Sequence, residues 1–200
     1  MRDLIRERLR VTLPDTLVHP EIMPPADKRH VLSDITEFRL AAVLVPIIDH
    51  PDGMTVLLTR RPDHMNKHAG QVAFPGGRVD PTDAHPVAAA LREAEEEVGL
   101  PAHHVEIVGR LDDYHTGTGF QITPVVGLVT PGFALKACDN EVAEIFEVPL
   151  SFLMNPDNHQ RKETEFKGRM AQYYAMPYKD YNIWGATAGM LVNLFNRLYG

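Results

Sequence analysis

The stretch Arg92-Glu93-Ala94-Glu95-Glu96-Glu97 carries the residues of this chain best placed to do chemistry. A helix turns about 100° per residue, so with Glu93 at zero, Glu97 falls at roughly 40° and Glu96 at roughly −60°. These three carboxylates share a face, and Glu95 lies off it. Like charges at i, i+3 and i+4 cost roughly 0.2–0.5 kcal/mol per exposed pair, so a cation is expected to offset them. All-oxygen donors suit hard cations such as Mg²⁺ or Mn²⁺ far better than zinc. The competing reading is a solvated acidic face, stabilised by Arg92 and other cations. The preceding turn Pro75-Gly76-Gly77 shifts the weight toward a site, because glycine lets the backbone approach a ligand that a side chain would block. Upstream of it, Arg60, Arg61, Lys67 and His68 form a basic stretch able to make charge-assisted bonds to phosphate.

Elements that position these groups are legible in outline. Pro86 to Val98 has helix composition, with Val87, Ala90, Leu91, Ala94 and Val98 on the face that packs against a sheet. Asp83 is a candidate cap, Pro86 fits the first turn, and Gly99 fits a left-handed C-terminal residue. Before the glycine turn, Arg39 to Ile48 and Met54 to Thr59 read as a hairpin around His50-Pro51-Asp52-Gly53. After the helix, Val105 to Gly109, Phe120 to Val129, Ala143 to Val148 and Arg169 to Met176 read as strands, with a helical turn at Ser151 to Met154. Trp184 to Tyr199 reads as a closing helix, and Asp3 to Val11 as a short surface helix ahead of a Pro-rich linker at Pro20 to Pro25. Mixed strands flanked by helices predict an α/β (α+β) sandwich.

Composition narrows the function classes. With 200 residues, 44% hydrophobic and 24% charged, the chain matches an ordinary globular domain and not a disordered one. A net charge of −7 excludes a uniformly basic nucleic-acid surface, so any phosphate ligand needs local cations or metal. The single cysteine, Cys138, closes no intrachain disulfide and builds no zinc ribbon, which fits a cytoplasmic setting. MRDLIRERLRV does not read as a signal peptide, and Leu40 to Ile48 is too short to span a bilayer, so no membrane role is expected.

Gly77 to Leu100, GRVDPTDAHPVAAALREAEEEVGL, resembles the Nudix box: Gly, five residues, Glu, seven residues, then Arg-Glu-apolar-x-Glu-Glu-x-Gly-apolar. Arg92, Glu93, Ala94, Glu96, Glu97, Gly99 and Leu100 sit on motif positions. Asp83 replaces the earlier Glu, and eight residues, not seven, separate it from Arg92. Both departures are features of the coenzyme A diphosphatase branch of that family. Leu57 to Gly77, LLTRRPDHMNKHAGQVAFPGG, is similar to that branch's signature LLTxRSxxLRxHxGxxxFPGG, matching at Leu57, Leu58, Thr59, Arg61, His68, Gly70 and Phe74 to Gly77. Pro62, Met65 and Asn66 depart from it, and Asn66 stands where Arg is usual. The resemblance spans most of residues 37–195, placing the lead-in at 1–35 and a Nudix-type α/β/α sandwich with a mixed central sheet at 36–200.

The resemblance implies metal-dependent hydrolysis of the diphosphate of coenzyme A or its thioesters, giving 4′-phosphopantetheine species and adenosine 3′,5′-bisphosphate. Glu93 and Glu97 would bind Mg²⁺ or Mn²⁺, joined by Glu96 and the Gly77 carbonyl, with Arg92 orienting the carboxylates or forming a simple salt bridge. Glu141 is the candidate general base and Glu144 the reserve. Arg61 ranks first among phosphate contacts, with Arg60, Lys67, His68, Gly76 and Gly77 beside it. The alternatives are a Nudix hydrolase of ADP-ribose or NADH, and a non-catalytic module that senses a nucleotide. The partner is a small molecule, and the protein a monomer or homodimer. Thr116-Gly117-Thr118-Gly119 reads as a hairpin turn rather than a phosphate cradle, and Tyr173, Tyr174 and Tyr178 either stack on adenine or pack in strands. No HExxH motif supports a zinc hydrolase.

Overall fold

The long apolar run becomes the central strand, β1 (Arg39–His50). In this computed structural model, which describes residues 1–10, 37–64, 69–166 and 168–200 and of Arg169 the backbone only, β1 runs parallel to β7 (Phe120–Val129), from Arg39↔Phe120 to Ile48↔Val129. Its other edge changes partner along its length. β4 (Gly76–Arg78) pairs antiparallel with Ala41–Val43, and β2 (Gly53–Arg60) with Ile47–His50. Pro46 falls in the gap between these two pairings, where a missing N–H donor is tolerated. β2 also carries β3 (Val72–Ala73) and β8 (Glu144–Pro149), while β7 carries β5 (Val105–Arg110) and β6 (Tyr114–His115).

Strand side chains alternate between faces, and β1 is buried on both. Val43, Val45 and Ile47 join one core cluster with Leu191, Leu194 and Leu198 of α4 (Ala186–Tyr199) and with Ile5 and Leu9 of α1 (Arg2–Leu9). Ala42, Leu44 and Ile48 join the other with Val87, Ala90, Ala94 and Val98 of α2 (Pro86–Val98). One mixed sheet between helical layers is the expected α/β/α sandwich. α1 is more than a surface helix: Ile5 and Leu9 are fully buried, and Arg2 and Arg6 bind Glu106 of β5. The Pro-rich linker lies outside the described residues. No helix of the described residues is long and apolar enough to cross a membrane.

A second sheet of β9 (Gln160–Phe166), β10 (Arg169–Tyr178) and β11 (Tyr181–Trp184) follows the short helix α3 (Leu150–Leu153). Only β10 is legible in advance. QRKETEF in β9 is mostly exposed and has no buried face, so its strand state comes from pairing with β10 along Arg169↔Phe166 to Ala175↔Gln160. Trp184 ends β11 instead of opening the last helix, because Gly185 at φ 64° turns the chain before α4 begins at Ala186.

The cap of α2 also differs from expectation. His85 is the N-cap, its Nδ1 accepting from the Ala88 N–H at 3.1 Å, while Asp83 is drawn into an ion pair with Arg92. At the other end Gly99 adopts φ 68°, and Leu100 N–H returns to the Ala94 carbonyl, closing the helix as read.

Candidate active site

α2 lies with its glutamates toward the glycine turn that β4 anchors to β1. Tertiary burial then separates three carboxylates that the helical wheel makes equivalent. Glu97 is 6% exposed, Glu93 is largely buried and Glu96 is exposed. The Gly76 N–H donates to Glu97 Oε2 at 3.0 Å. A Cβ on Gly76 would lie 2.5 Å from the Ala42 carbonyl oxygen and Val43 Cα, so this position accepts only glycine. A Cβ on Gly77 would lie 2.5 Å from the Glu93 carboxyl group. Gly77→Ala is therefore expected to push Glu93 out of place and lower turnover at least about tenfold, as displacing one electrostatic contact of a transition state does, with an unchanged circular dichroism spectrum. Turnover assays on the folded variant check this.

Arg92 spans the polar side of the helix. Its Nη2 reaches Asp83 at 2.9 Å, and its Nη1 reaches Glu93 and Glu96, each at 3.0 Å. Thus it both orients the carboxylates and forms salt bridges, and it holds the Asp83 carboxyl below its ordinary range. The Nudix-box departure at Asp83 is structurally accommodated by this contact.

Burial dominates the electrostatics of the other two acids. Desolvation raises Glu97 to about 7, with the Glu141 and Glu93 charges adding to the rise against the Gly76 N–H and Arg61. Glu93 is raised by desolvation as well, against its pairing with Arg92. Glu141, in the turn after Cys138, therefore stands near both acids in the field that shifts them. Hard oxygen donors carrying excess buried negative charge fit a divalent cation. Among the described residues, no three acidic, imidazole or thiol groups already converge as a ligand cage, since Glu93 and Glu96 turn to Arg92 and Glu97 to Gly76.

A cavity of about 770 Å³ opens where β1 exchanges β4 for β2, and Glu97, Glu141, Gly76 and Arg61 line it. Arg61 Nε is buried there with no hydrogen-bond partner among the described residues. An orphaned guanidinium donor costs desolvation energy unless a ligand satisfies it, and phosphate oxygens match its fork. The neighbouring basic residue behaves differently. Arg60 is outside the cavity lining, pairing with Asp63 and with Glu144, which also accepts from the Tyr181 hydroxyl at 2.6 Å. That network also occupies Glu144, the reserve base. Lys67 and His68, together with Met65 and Asn66, lie outside the described residues.

The turn at Thr116 to Gly119 and the tyrosines of β10 are placed by their contacts, and Thr116, Gly117 and Thr118 also line the cavity. Thr116 to Gly119 forms the β6–β7 turn, closed by Thr116 N–H to the Phe120 carbonyl. Tyr174 and Tyr178 pack against the core, whereas Tyr173 lines the cavity. Sequence reasoning missed Phe166, Met170 and Trp184 as lining residues. Their pattern carries no motif, and the one signal available was that Trp184 is the only tryptophan of the chain.

A glycine turn against an acidic helix, on a mixed-sheet α/β/α sandwich with an arginine-lined cavity, defines a hydrolase class built for phosphoanhydrides. The chain belongs to the NUDIX domain family, whose model matches residues 38–174. It is 42% identical over 184 residues to the uncharacterized Nudix hydrolase NudL of Escherichia coli K12, covering 92% of this chain and 93% of that protein. The same identity and coverage hold for NudL of Shigella boydii serotype 18. Among solved structures, a MutT/nudix family protein from Enterococcus faecalis shares the fold, with a TM-score of 0.51 and 18% identity over 89% of this chain and 71% of that one. Membership makes this a Nudix hydrolase, acting on diphosphate linkages of nucleoside diphosphate derivatives. Such hydrolases generally use divalent metal ions.

Proposed function

We propose that the protein hydrolyses the diphosphate of coenzyme A or its thioesters, releasing adenosine 3′,5′-bisphosphate and a 4′-phosphopantetheine species. The observation that carries the phosphoanhydride chemistry is the meeting of buried Glu97 with the orphaned Arg61 Nε in one cavity. The coenzyme A assignment rests on the similarity of Leu57 to Gly77 to the coenzyme A diphosphatase signature, in which Arg61 is a matched position.

A diphosphate repels an attacking hydroxide, so hydrolysis needs its charge neutralised and a water activated. Bound Mg²⁺ or Mn²⁺ supplies positive charge to the phosphoryl oxygens and acidifies water. Glu93 and Glu97 would hold it, with Glu96 and the Gly77 carbonyl beside them. Arg92 keeps Glu93 and Glu96 oriented through its two 3.0 Å contacts. Arg61 donates to phosphate oxygens, and Glu141 takes the proton of the attacking water. The catalytic residues lie within residues 36–200, with α1 packed into the same core, and the protein works in the cytoplasm.

Steady-state hydrolysis of coenzyme A beside ADP-ribose and NADH, with Mg²⁺, with Mn²⁺ and with chelator, tests this reading. The expected result is metal-dependent preference for coenzyme A, with adenosine 3′,5′-bisphosphate resolved by chromatography. Preference for ADP-ribose or NADH overturns the coenzyme A assignment and leaves the family mechanism standing.

A further inference from the structure

The carboxylates and Arg61 account for one chemistry of the cavity, and its volume of about 770 Å³ is far more than a diphosphate fills. Much of the remaining wall comes from the second sheet, where the apolar side chains of Phe166, Met170, Tyr173 and Trp184 stand beside the polar Glu163, Thr164 and Gln172. Of the four exposed large hydrophobic residues among those described, two belong to it: Met170, 61% exposed, and Trp184, 38% exposed. Exposed apolar groups gathered in a concave site mark a place that a ligand covers. Tyr173 meets Trp184 edge to face, with ring centroids 5.7 Å apart. Phe166 completes the wall from β9, and its position depends on Gly117, where a Cβ would come within 2.7 Å of the ring. Inward, the lining continues through Ile122 and Met190.

We infer that Phe166, Met170, Tyr173 and Trp184 form a subsite for an apolar acyl chain carried by the diphosphate substrate, and that this wall makes thioesters with longer chains preferred over the free thiol. The inference rests on the coenzyme A reading above. A flexible thioether beside aromatic rings adapts to chains of varying shape. A nucleobase instead needs fixed donors and acceptors at its edge, and the amide along this strand, Gln172, is tied to Glu163 at 3.0 Å. Removing the chain from water against this wall strengthens binding with each methylene buried.

Trp184 is the only tryptophan of the chain, so its emission reports occupancy of the wall without turnover. In chelator, decanoyl-coenzyme A is expected to shift the Trp184 emission with at least about tenfold higher affinity than coenzyme A, as burial of several methylenes gives. Met170→Asp removes that preference, and Met170→Leu keeps it. Equal affinities for the two ligands, or a preference that survives Met170→Asp, overturn the subsite. So does an equal emission shift from adenosine 3′,5′-bisphosphate alone, which would place the base on the wall. Decyl diphosphate against inorganic diphosphate separates the two readings. If decyl diphosphate binds tighter in a Met170-dependent way while ADP-ribose is the preferred substrate, the apolar subsite stands and the coenzyme A assignment falls.

Discussion

Glu97→Gln lowers turnover by at least about 10²-fold with the fold intact, the loss expected when one metal-bound transition-state contact is removed. The substitution is nearly isosteric, and the amide oxygen still accepts the Gly76 N–H that Glu97 accepts at 3.0 Å. What changes is charge. Burial raises the Glu97 carboxyl to about 7, above its ordinary value of 4.5. A carboxylate whose folded value is raised costs nothing below the unfolded value and weakens the fold progressively as pH climbs from there to about 7, with the full penalty beyond. That penalty is of order 3 kcal/mol without a compensating cation. In chelator, therefore, the wild-type melting temperature falls between pH 5 and pH 8, and that of the variant falls much less. Mg²⁺ or Mn²⁺ restores the wild type at pH 8 and leaves the variant nearly unmoved. Thermal melts by circular dichroism, paired with turnover, check both halves. Turnover near the wild-type rate in the variant removes Glu97 from the metal site.

Arg61→Ala is the second large effect. A charge-assisted hydrogen bond to phosphate contributes about 1.5–3 kcal/mol, so kcat/KM falls about 10- to 10²-fold. The side chain also lowers Glu97 through its positive charge. Without it Glu97 rises further, and the acid limb of the pH–activity profile moves to higher pH. Arg61→Lys restores the limb, because the charge returns, but recovers only part of kcat/KM, because the planar fork does not. Arg60→Ala leaves this limb in place, since Arg60 is paired with Asp63 and Glu144 outside the cavity lining. A full pH profile of kcat/KM for each variant measures the difference, and an Arg61→Ala profile matching the wild type removes Arg61 from substrate contact.

Much of the scaffold was legible from local rules. β1 reads as a continuous apolar run because it is buried on both faces, and α2 is bounded by Pro86 and Gly99 for steric reasons that need no tertiary context. The cap failed because several short polar residues precede Pro86, and the choice fell to His85 once Arg92 engaged Asp83. β9 escaped because a strand stabilised by its neighbour needs no hydrophobic alternation of its own, and β11 because its alternation, with Ile183 buried between exposed Asn182 and Trp184, runs over only four residues. The reserve base and Arg60 were misplaced for a related reason. Arg60 is the last residue of β2 and pairs across to Glu144 of β8, whereas Arg61, one residue past the strand end, lines the cavity.

The sequence by itself determined the acidic helix face, the glycine turn before it and the basic stretch leading in, because each follows from spacing and residue type within one segment. Only the tertiary structure decided their ranking. Packing α2 against β1 and β4 buried Glu97, left Glu96 in water and brought Glu141 near both acids from a segment far along the chain. Desolvation depends on what covers a group, and that is a property of the assembled layers. The apolar wall of Phe166, Met170, Tyr173 and Trp184 exists for the same reason: its members come from three strands whose side chains share a cavity only after the second sheet has formed.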